Sequence, residues 1–167
     1  VFHDFGTRIN SGVFAGLTIP IGPSASISAG VAQGRGGIVG SVDAVQSLGP
    51  EPGSVGWRVH AAEGAATDRR ASVSYRSNYG TIHAGASETN SAASAALNLR
   101  GSITTMDGGL FLSNWIDDGF AVVNAGLPGV AVRHENRPAG VTDSRGMLLI
   151  PSLRAYQKNK MEIDAVS

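Results

Sequence analysis

The chain has 167 residues, with 13 Lys+Arg against 13 Asp+Glu, no Cys, and 42% hydrophobic against 16% charged residues. That length holds one ordinary domain or parts of two. The balanced, scattered charge argues against a nucleic-acid partner, and the lack of Cys excludes disulfides, thiolate zinc sites and a cysteine nucleophile.

The 23 Gly are about twice the usual ~7% share. No apolar run approaches the ~18 residues of a spanning helix, so composition excludes a helical membrane protein and leaves a transmembrane β-barrel open. The chain starts at Val1 with no basic-then-apolar segment, so its beginning and its end at Ser167 read as cuts in a longer protein.

Gly and Pro punctuate the chain. Turn signals fall at Ile21-Gly22-Pro23-Ser24, Gly34-Arg35-Gly36-Gly37, Gly49-Pro50-Glu51-Pro52-Gly53, Glu63-Gly64, Ser77-Asn78, Glu88-Thr89-Asn90 and Asp107-Gly108-Gly109. Between them lie segments of about ten residues, the spacing of bilayer-crossing strands or of a large sandwich. In 24–31, Ala25, Ile27, Ala29 and Val31 alternate with Ser24, Ser26, Ser28 and Gly30. In 55–62, Val55, Trp57, Val59 and Ala61 alternate with Gly56, Arg58, His60 and Ala62; in 71–76, Ala71, Val73 and Tyr75 alternate with Ser72, Ser74 and Arg76. The Ala-rich 91–99 has helical propensity, but its odd/even split (Ala95, Leu97, Leu99 against Ser94, Ala96, Asn98) and missing C-cap predict a strand.

A soluble sandwich shows the same alternation, so face quality decides. One side carries Ala and Val more than close-packing Leu, Ile and Phe; the other is Ser, Gly, Asn and Arg, small and wet like a wide lumen. Trp57, Tyr75, Tyr79, Phe111 and Trp115 lie where an interfacial aromatic girdle can use them, or serve as ordinary core and surface aromatics. About seven or eight such segments precede Trp115, joined by short connections. The predicted fold class is all-β, an antiparallel meander of transmembrane β-barrel strands over 1–116.

Composition changes near 115–118. Asp117-Asp118-Gly119 opens a stretch richer in Pro and charge, with strands at Val130-Ala131-Val132-Arg133, Met147-Leu148-Leu149-Ile150 and Lys160-Met161-Glu162-Ile163-Asp164. Residues 117–167 read as the start of a β-sandwich that lacks the length to close its own core. Asn136-Arg137-Pro138-Ala139-Gly140 is the predicted turn of one hairpin and Thr142-Asp143-Ser144-Arg145-Gly146 that of another, with Asp accepting backbone N–H bonds and Gly supplying positive φ.

Catalytic and metal motifs do not stand out. His3, His60, His83 and His134 lack the short spacings of a metal site, and His60 and His83 fall on polar strand faces. Asp117-Asp118-Gly119 reads as a turn rather than a calcium loop, and the proximity of His134-Glu135 to Asp143-Ser144 provides no nucleophile–base geometry. Gly34, Gly36, Gly37 and Gly40 have the wrong spacing for a dinucleotide fingerprint and read as a hairpin turn. The expectation is a protein that is not an enzyme and uses no cofactor or metal.

The tail carries a resemblance. Within Pro128-Gly129-Val130-Ala131-Val132-Arg133-His134-Glu135-Asn136, Gly140-Val141-Thr142-Asp143-Ser144-Arg145-Gly146, Ile150-Pro151-Ser152-Leu153-Arg154-Ala155-Tyr156-Gln157-Lys158-Asn159 and Ile163-Asp164, several turn residues keep a family's identity and order, over about 117–167. This run resembles the outer-membrane ushers of chaperone/usher pilus assembly, at the start of the first C-terminal domain. Gly12-Val13-Phe14-Ala15-Gly16-Leu17-Thr18-Ile19-Pro20-Ile21-Gly22 is similar to an usher barrel strand entering its turn.

The resemblance implies a piece from near the C-terminal end of a pore in the outer membrane of a Gram-negative bacterium. Its last part would lie in the periplasm as a partial Ig-like β-sandwich. Partners implied are outer-membrane lipid and periplasmic chaperone–pilus subunit complexes, which ushers receive, polymerise and secrete, with Arg154 and Tyr156 as candidate contacts. The alternative is a secreted or periplasmic β-sandwich binding module without catalytic activity, recognisable by dense Leu, Ile and Phe on one strand face.

Overall fold

The computed structural model describes residues 2–4, 10–106 and 108–163. Val1, Asp107, Asp164 and Ser167 lie outside the described residues, and with them part of the expected 107–109 turn and the end of the expected last strand. Every element among the described residues is a strand, and none is a helix. The chain divides into two compact units, Val1–Arg76 with Ile82–Asn98, and Ser77–Thr81 with Leu99–Ser167.

The first unit is built on one eight-stranded sheet in sequence order. Its strands are β1 (Phe2–Asp4), β2 (Asn10–Ile21), β3 (Ala25–Gly34), β4 (Gly37–Gln46), β5 (Val55–Gly64), β6 (Asp68–Arg76), β7 (Thr81–Thr89) and β8 (Ala92–Arg100). The registers from β1 to β6 are antiparallel, which makes the sheet the meander expected of short connections. The Ala-rich segment is β8, so alternation outweighs helix propensity there. Its turn consists of Asn90 (φ 47°) and Ser91 (φ 72°), the paired left-handed geometry of a two-residue hairpin.

Cross-strand pairing fixes the faces, because paired residues project to the same side. One row runs Leu17, Ala29, Val42, Ala61; the next runs Ile19, Ile27, Ala44, Val59, Ala71. On the opposite side the row is Thr18, Ser28, Asp43, His60, Arg70. No described apolar side chain of this unit is buried: Leu17 is 65% exposed and Ile19 54%. This sheet therefore has no hydrophobic core of its own, whereas the polar Asp43 and His60 side chains are only 19% and 27% exposed.

The second unit places its hydrophobic side chains the ordinary way round. A hairpin of β9 (Ser102–Met106) and β10 (Gly109–Ser113) precedes β11 (Gly119–Asn124), which pairs antiparallel with β14 (Met147–Leu153). β12 (Ala131–His134) lies between β13 (Arg137–Val141) and β15 (Met161–Ile163). Phe111, Val130, Val132, Leu149 and Ile150 are buried. Thr142, also buried, ties the packing together: its hydroxyl donates to the Leu127 carbonyl at 2.7 Å and accepts from the Val130 N–H at 2.9 Å.

One open choice is settled here and the expected turns change. Phe111 is core rather than girdle, only 6% exposed, with the Arg145 guanidinium 4.9 Å from its ring centroid. The β12–β13 hairpin turns at Glu135 (φ 50°) and Asn136 (φ 63°), and 137–140 belong to β13 rather than to the turn. Pro138 is accommodated because β13 is an edge strand whose register with β12 shifts beside it. The 142–146 turn forms, with Asp143 accepting from the Arg145 and Met147 N–H groups at 2.9 and 3.0 Å and Gly146 at φ 79°, but it joins β13 and β14, which belong to different sheets, and so does not close the expected hairpin.

Candidate functional site

Two features can carry function: the two-faced sheet and an ordered loop in the second unit. The polar face of the sheet holds charges that neutralise one another in its plane. Arg58 Nε donates to Asp43 Oδ2 at 2.8 Å, and His60 Nδ1 lies 3.4 Å from the same oxygen. Arg70 grips both oxygens of Asp68, Ser74 bonds His83 at 2.8 Å, and Ser87 bonds Ser94 at 2.8 Å. A concavity of about 360 Å³ is lined by Arg58, His60, Asp68, Arg70, Ser72 and Ser94 among others. The arrangement presents a hydrated surface whose charges are paired within the face. Among the described residues no group of three His, Asp or Glu stands close enough to bind a metal.

Alternation alone puts His60 and His83 on this face. Sequence reasoning missed Asp43 as the charged counterpart of Arg58 and His60, although β4 parity opposite β5 carried the signal.

The apolar face is bounded at both ends. Toward the 65–67 and 90–91 turns, Arg69 joins Glu63 and Glu88. Toward the other turns lie Trp57, whose indole N–H donates to Gln46 Oε1 at 3.2 Å, and Tyr75, paired with Val55. Trp57 and Tyr75 thus share one face and one end. Tyr79 is exposed in the 77–80 turn, and Trp115 lies under the Arg100 guanidinium, 4.8 Å from its centroid.

Arg154 and Tyr156 sit together in the 154–160 loop between β14 and β15. Asn159 builds this loop: its side chain accepts from the Arg154 N–H at 3.2 Å and donates to the Arg154 and Gln157 carbonyls at 3.0 and 3.1 Å. Asp118 Oδ2 accepts from the Ala155 N–H at 2.8 Å, and Glu135 Oε1 from the Lys160 N–H at 2.7 Å. His134 reaches Asn159 Oδ1 at 3.3 Å. His134, Glu135 and Asp118 thus act as local braces. The Lys160 ammonium is held above its ordinary range by its hydrogen bond to Glu162, whose carboxyl is lowered by the same contact. Tyr156 has φ 60° and a fully exposed ring (108%).

Comparison with known proteins gives two matches. The family model described as outer membrane usher protein matches residues 49–167. Outer membrane usher protein YraJ of Escherichia coli (strain K12) is 34% identical over 93 residues, covering 55% of this chain and 11% of that relative. The chain thus spans about a tenth of the length of the curated relative it matches.

Proposed function

We propose that this chain, which belongs to the outer membrane usher family, contributes a stretch of transmembrane barrel wall and a periplasmic sandwich segment to a machine that secretes pilus subunits. The inverted sheet carries the reading: apolar side chains with no core to enter need lipid, and a self-neutralised polar face suits an aqueous lumen. From Val13 to Ile21 the apolar face of β2 spans nine residues, roughly 27 Å along the strand and about 20 Å at the tilt of barrel strands, near the height of an outer-membrane apolar band. Trp57 and Tyr75 would stand at one boundary of that band and the Glu63, Arg69 and Glu88 cluster at the other. A secreted module would instead bury Leu17, Ile19 and Val59.

In this reading the barrel is completed by strands beyond this chain, since an open sheet edge does not survive in hydrocarbon. Paired charges such as Asp43 with Arg58 leave little net field to trap a passing polypeptide. Residues 117–167 contribute to a sandwich on the periplasmic side, where chaperone–subunit complexes are held through contacts that include Arg154 and Tyr156. Subunits then polymerise by strand pairing, a form of β-augmentation. No step of this cycle requires a catalytic side chain of this chain.

Single-cysteine labelling in an otherwise Cys-free usher tests the wall, since this segment has no Cys of its own to replace. In a full-length usher carrying this segment, a membrane-impermeant maleimide should react at positions 28 and 72 and spare 17, 59 and 73. Equal labelling on both faces would refute the barrel wall. Deleting 119–163 should abolish retention of chaperone–subunit complexes.

A further inference from the structure

We infer that the 47–54 loop is an inward-turned ledge at the periplasmic mouth of the pore, fixed over the lumen face, which an entering β-rich polypeptide passes without pairing its strands to it. The inference deepens the proposed secretion of subunits and rests on that reading.

β4 ends at Gln46 and β5 starts at Val55, so 47–54 is a longer connection than the 35–36, 65–67 and 90–91 turns of the same sheet. Hairpin connections usually have about two to five residues, and a longer one needs support of its own. The support here lies on the polar face. Gly56 shares the parity of Arg58 and His60, and a Cβ built on it would stand 2.7 Å from the Leu48 N and 2.8 Å from its Cα. Leu48 is therefore laid directly on the polar side of β5, an approach of backbone to backbone that only glycine permits. Gly56 is buried as a result. Arg76, on the same face of β6, donates from Nε to the Gly49 carbonyl at 3.1 Å. The Ser54 hydroxyl donates to that carbonyl at 2.9 Å, and the Ser47 N–H donates to the Ser24 carbonyl at 2.8 Å. Contacts from β5, β6 and the 22–24 turn thus hold the loop to one side of the sheet.

That side is the lumen wall in the proposed reading. β8 runs from the 90–91 turn to the opposite end of the sheet, the end that 47–54 occupies, and from there the chain continues toward 117–167, the periplasmic part of that reading. The loop therefore leans over the mouth by which subunits enter, with 50–53 exposed at its tip.

Backbone chemistry sets the terms of the encounter. Subunits that polymerise by strand pairing would be trapped by a row of free N–H groups at the mouth. Pro50 and Pro52 have no N–H to offer. The Gly53 and Ser54 N–H groups are already engaged, with the Arg76 and Glu51 carbonyls at 2.7 and 3.2 Å. Proline protects exposed sheet edges from unwanted pairing for the same reason.

The test uses an otherwise Cys-free full-length usher carrying this segment while it exports subunits from the same host. A benzophenone maleimide attached at Glu51→Cys should crosslink to subunits in transit, whereas one attached at Val55→Cys, on the apolar face of β5, should not. Arg76→Ala, which takes the guanidinium from Gly49, should lower the residue-51 yield about fivefold, the effect of one lost hydrogen bond. Pro50→Ala/Pro52→Ala should slow subunit release by at least about fivefold, since it adds N–H donors. Glu51→Ala adds none and should stay within about twofold of the parent.

A residue-51 yield no higher than that of residue 55, with maleimide still separating positions 28 and 72 from 17, 59 and 73, overturns the ledge and leaves the barrel wall standing. Equal maleimide labelling on both faces overturns both. Release that is unchanged by the Pro50→Ala/Pro52→Ala pair, or slowed as much by Glu51→Ala, overturns passage without pairing.

Discussion

Leu17 and Thr18 are adjacent in β2 and project to opposite faces, which allows a single substitution to be tried on each side of the same wall. Leu17 lies four residues from Val13 and four from Ile21, about 10 Å from either end of the apolar stripe at the rise and tilt of barrel strands, and so near the bilayer midplane. Arginine on the lipid face at that depth costs about 2–4 kcal/mol. At 1.36 kcal/mol per tenfold, that lowers the folded-to-unfolded ratio by about 30- to 900-fold.

Water would give a different answer. Leu17 is 65% exposed, and a surface substitution of that kind usually stays within about 0.5 kcal/mol. Thr18→Arg enters the row of Ser28, Asp43, His60 and Arg70, a polar face where the added charge stays hydrated. The assay is the amount of heat-modifiable usher in the outer membrane, with urea unfolding in lipid vesicles as a second measure. Leu17→Arg should be depleted and Thr18→Arg near normal. Equal yields, or a greater loss with Thr18→Arg, would refute the assignment of faces.

Three further outcomes rest on particular contacts. Gly64 has φ 135°, and a Cβ there would collide with the Ile38 carbonyl, so Gly64→Ala should cost about 1–3 kcal/mol in the same unfolding assay; Gly36→Ala, with open space around it, should be nearly silent. Thr142→Val should strand the Val130 N–H and the Leu127 carbonyl, destabilising the second unit by about 1–3 kcal/mol in protease-resistance measurements, whereas Thr142→Ser keeps both bonds. Asp143 is held below its ordinary carboxyl range, first by its hydrogen bond to Arg145 and then by the Met147 N–H. Its contribution is therefore complete above the unfolded value of about 4 and lost as pH falls through the depressed folded one. Acid should loosen the 142–146 turn only below about pH 4, and Asp143→Asn should remove that part of the pH dependence in thermal melts.

Period-two alternation made β3, β5, β6 and β8 legible because a strand's side chains must alternate, whatever covers them. The turns at 22–24, 35–36 and 90–91 were legible for a similar local reason: Gly, Pro and Asn solve backbone problems where they arise. Phe111 shows where that information ends. It sits in a short apolar stretch suited to a girdle or a core, and its burial beside Arg145, 34 residues later in sequence, is a tertiary fact. Asp43 is similar, since its pairing with Arg58 and His60 depends on the β4–β5 register. The turn at Glu135 and Asn136 overlaps the expected one only at Asn136, because Pro138 and Gly140 draw the expected turn toward residues that belong to β13.

The sequence by itself determined that this protein is all-β, that its strands have an apolar and a polar side, and that its tail carries the usher pattern, because these are properties of neighbouring residues. Only the tertiary structure decided which side chains are covered. It leaves Leu17 and Ile19 exposed while Val132 is buried, and it gathers Asp118, Glu135 and Asn159 from three parts of the chain to fix the backbone of the 154–160 loop. Burial and long-range hydrogen bonding depend on which strands meet, and that is settled by the packing of the whole chain rather than by any local run of residues.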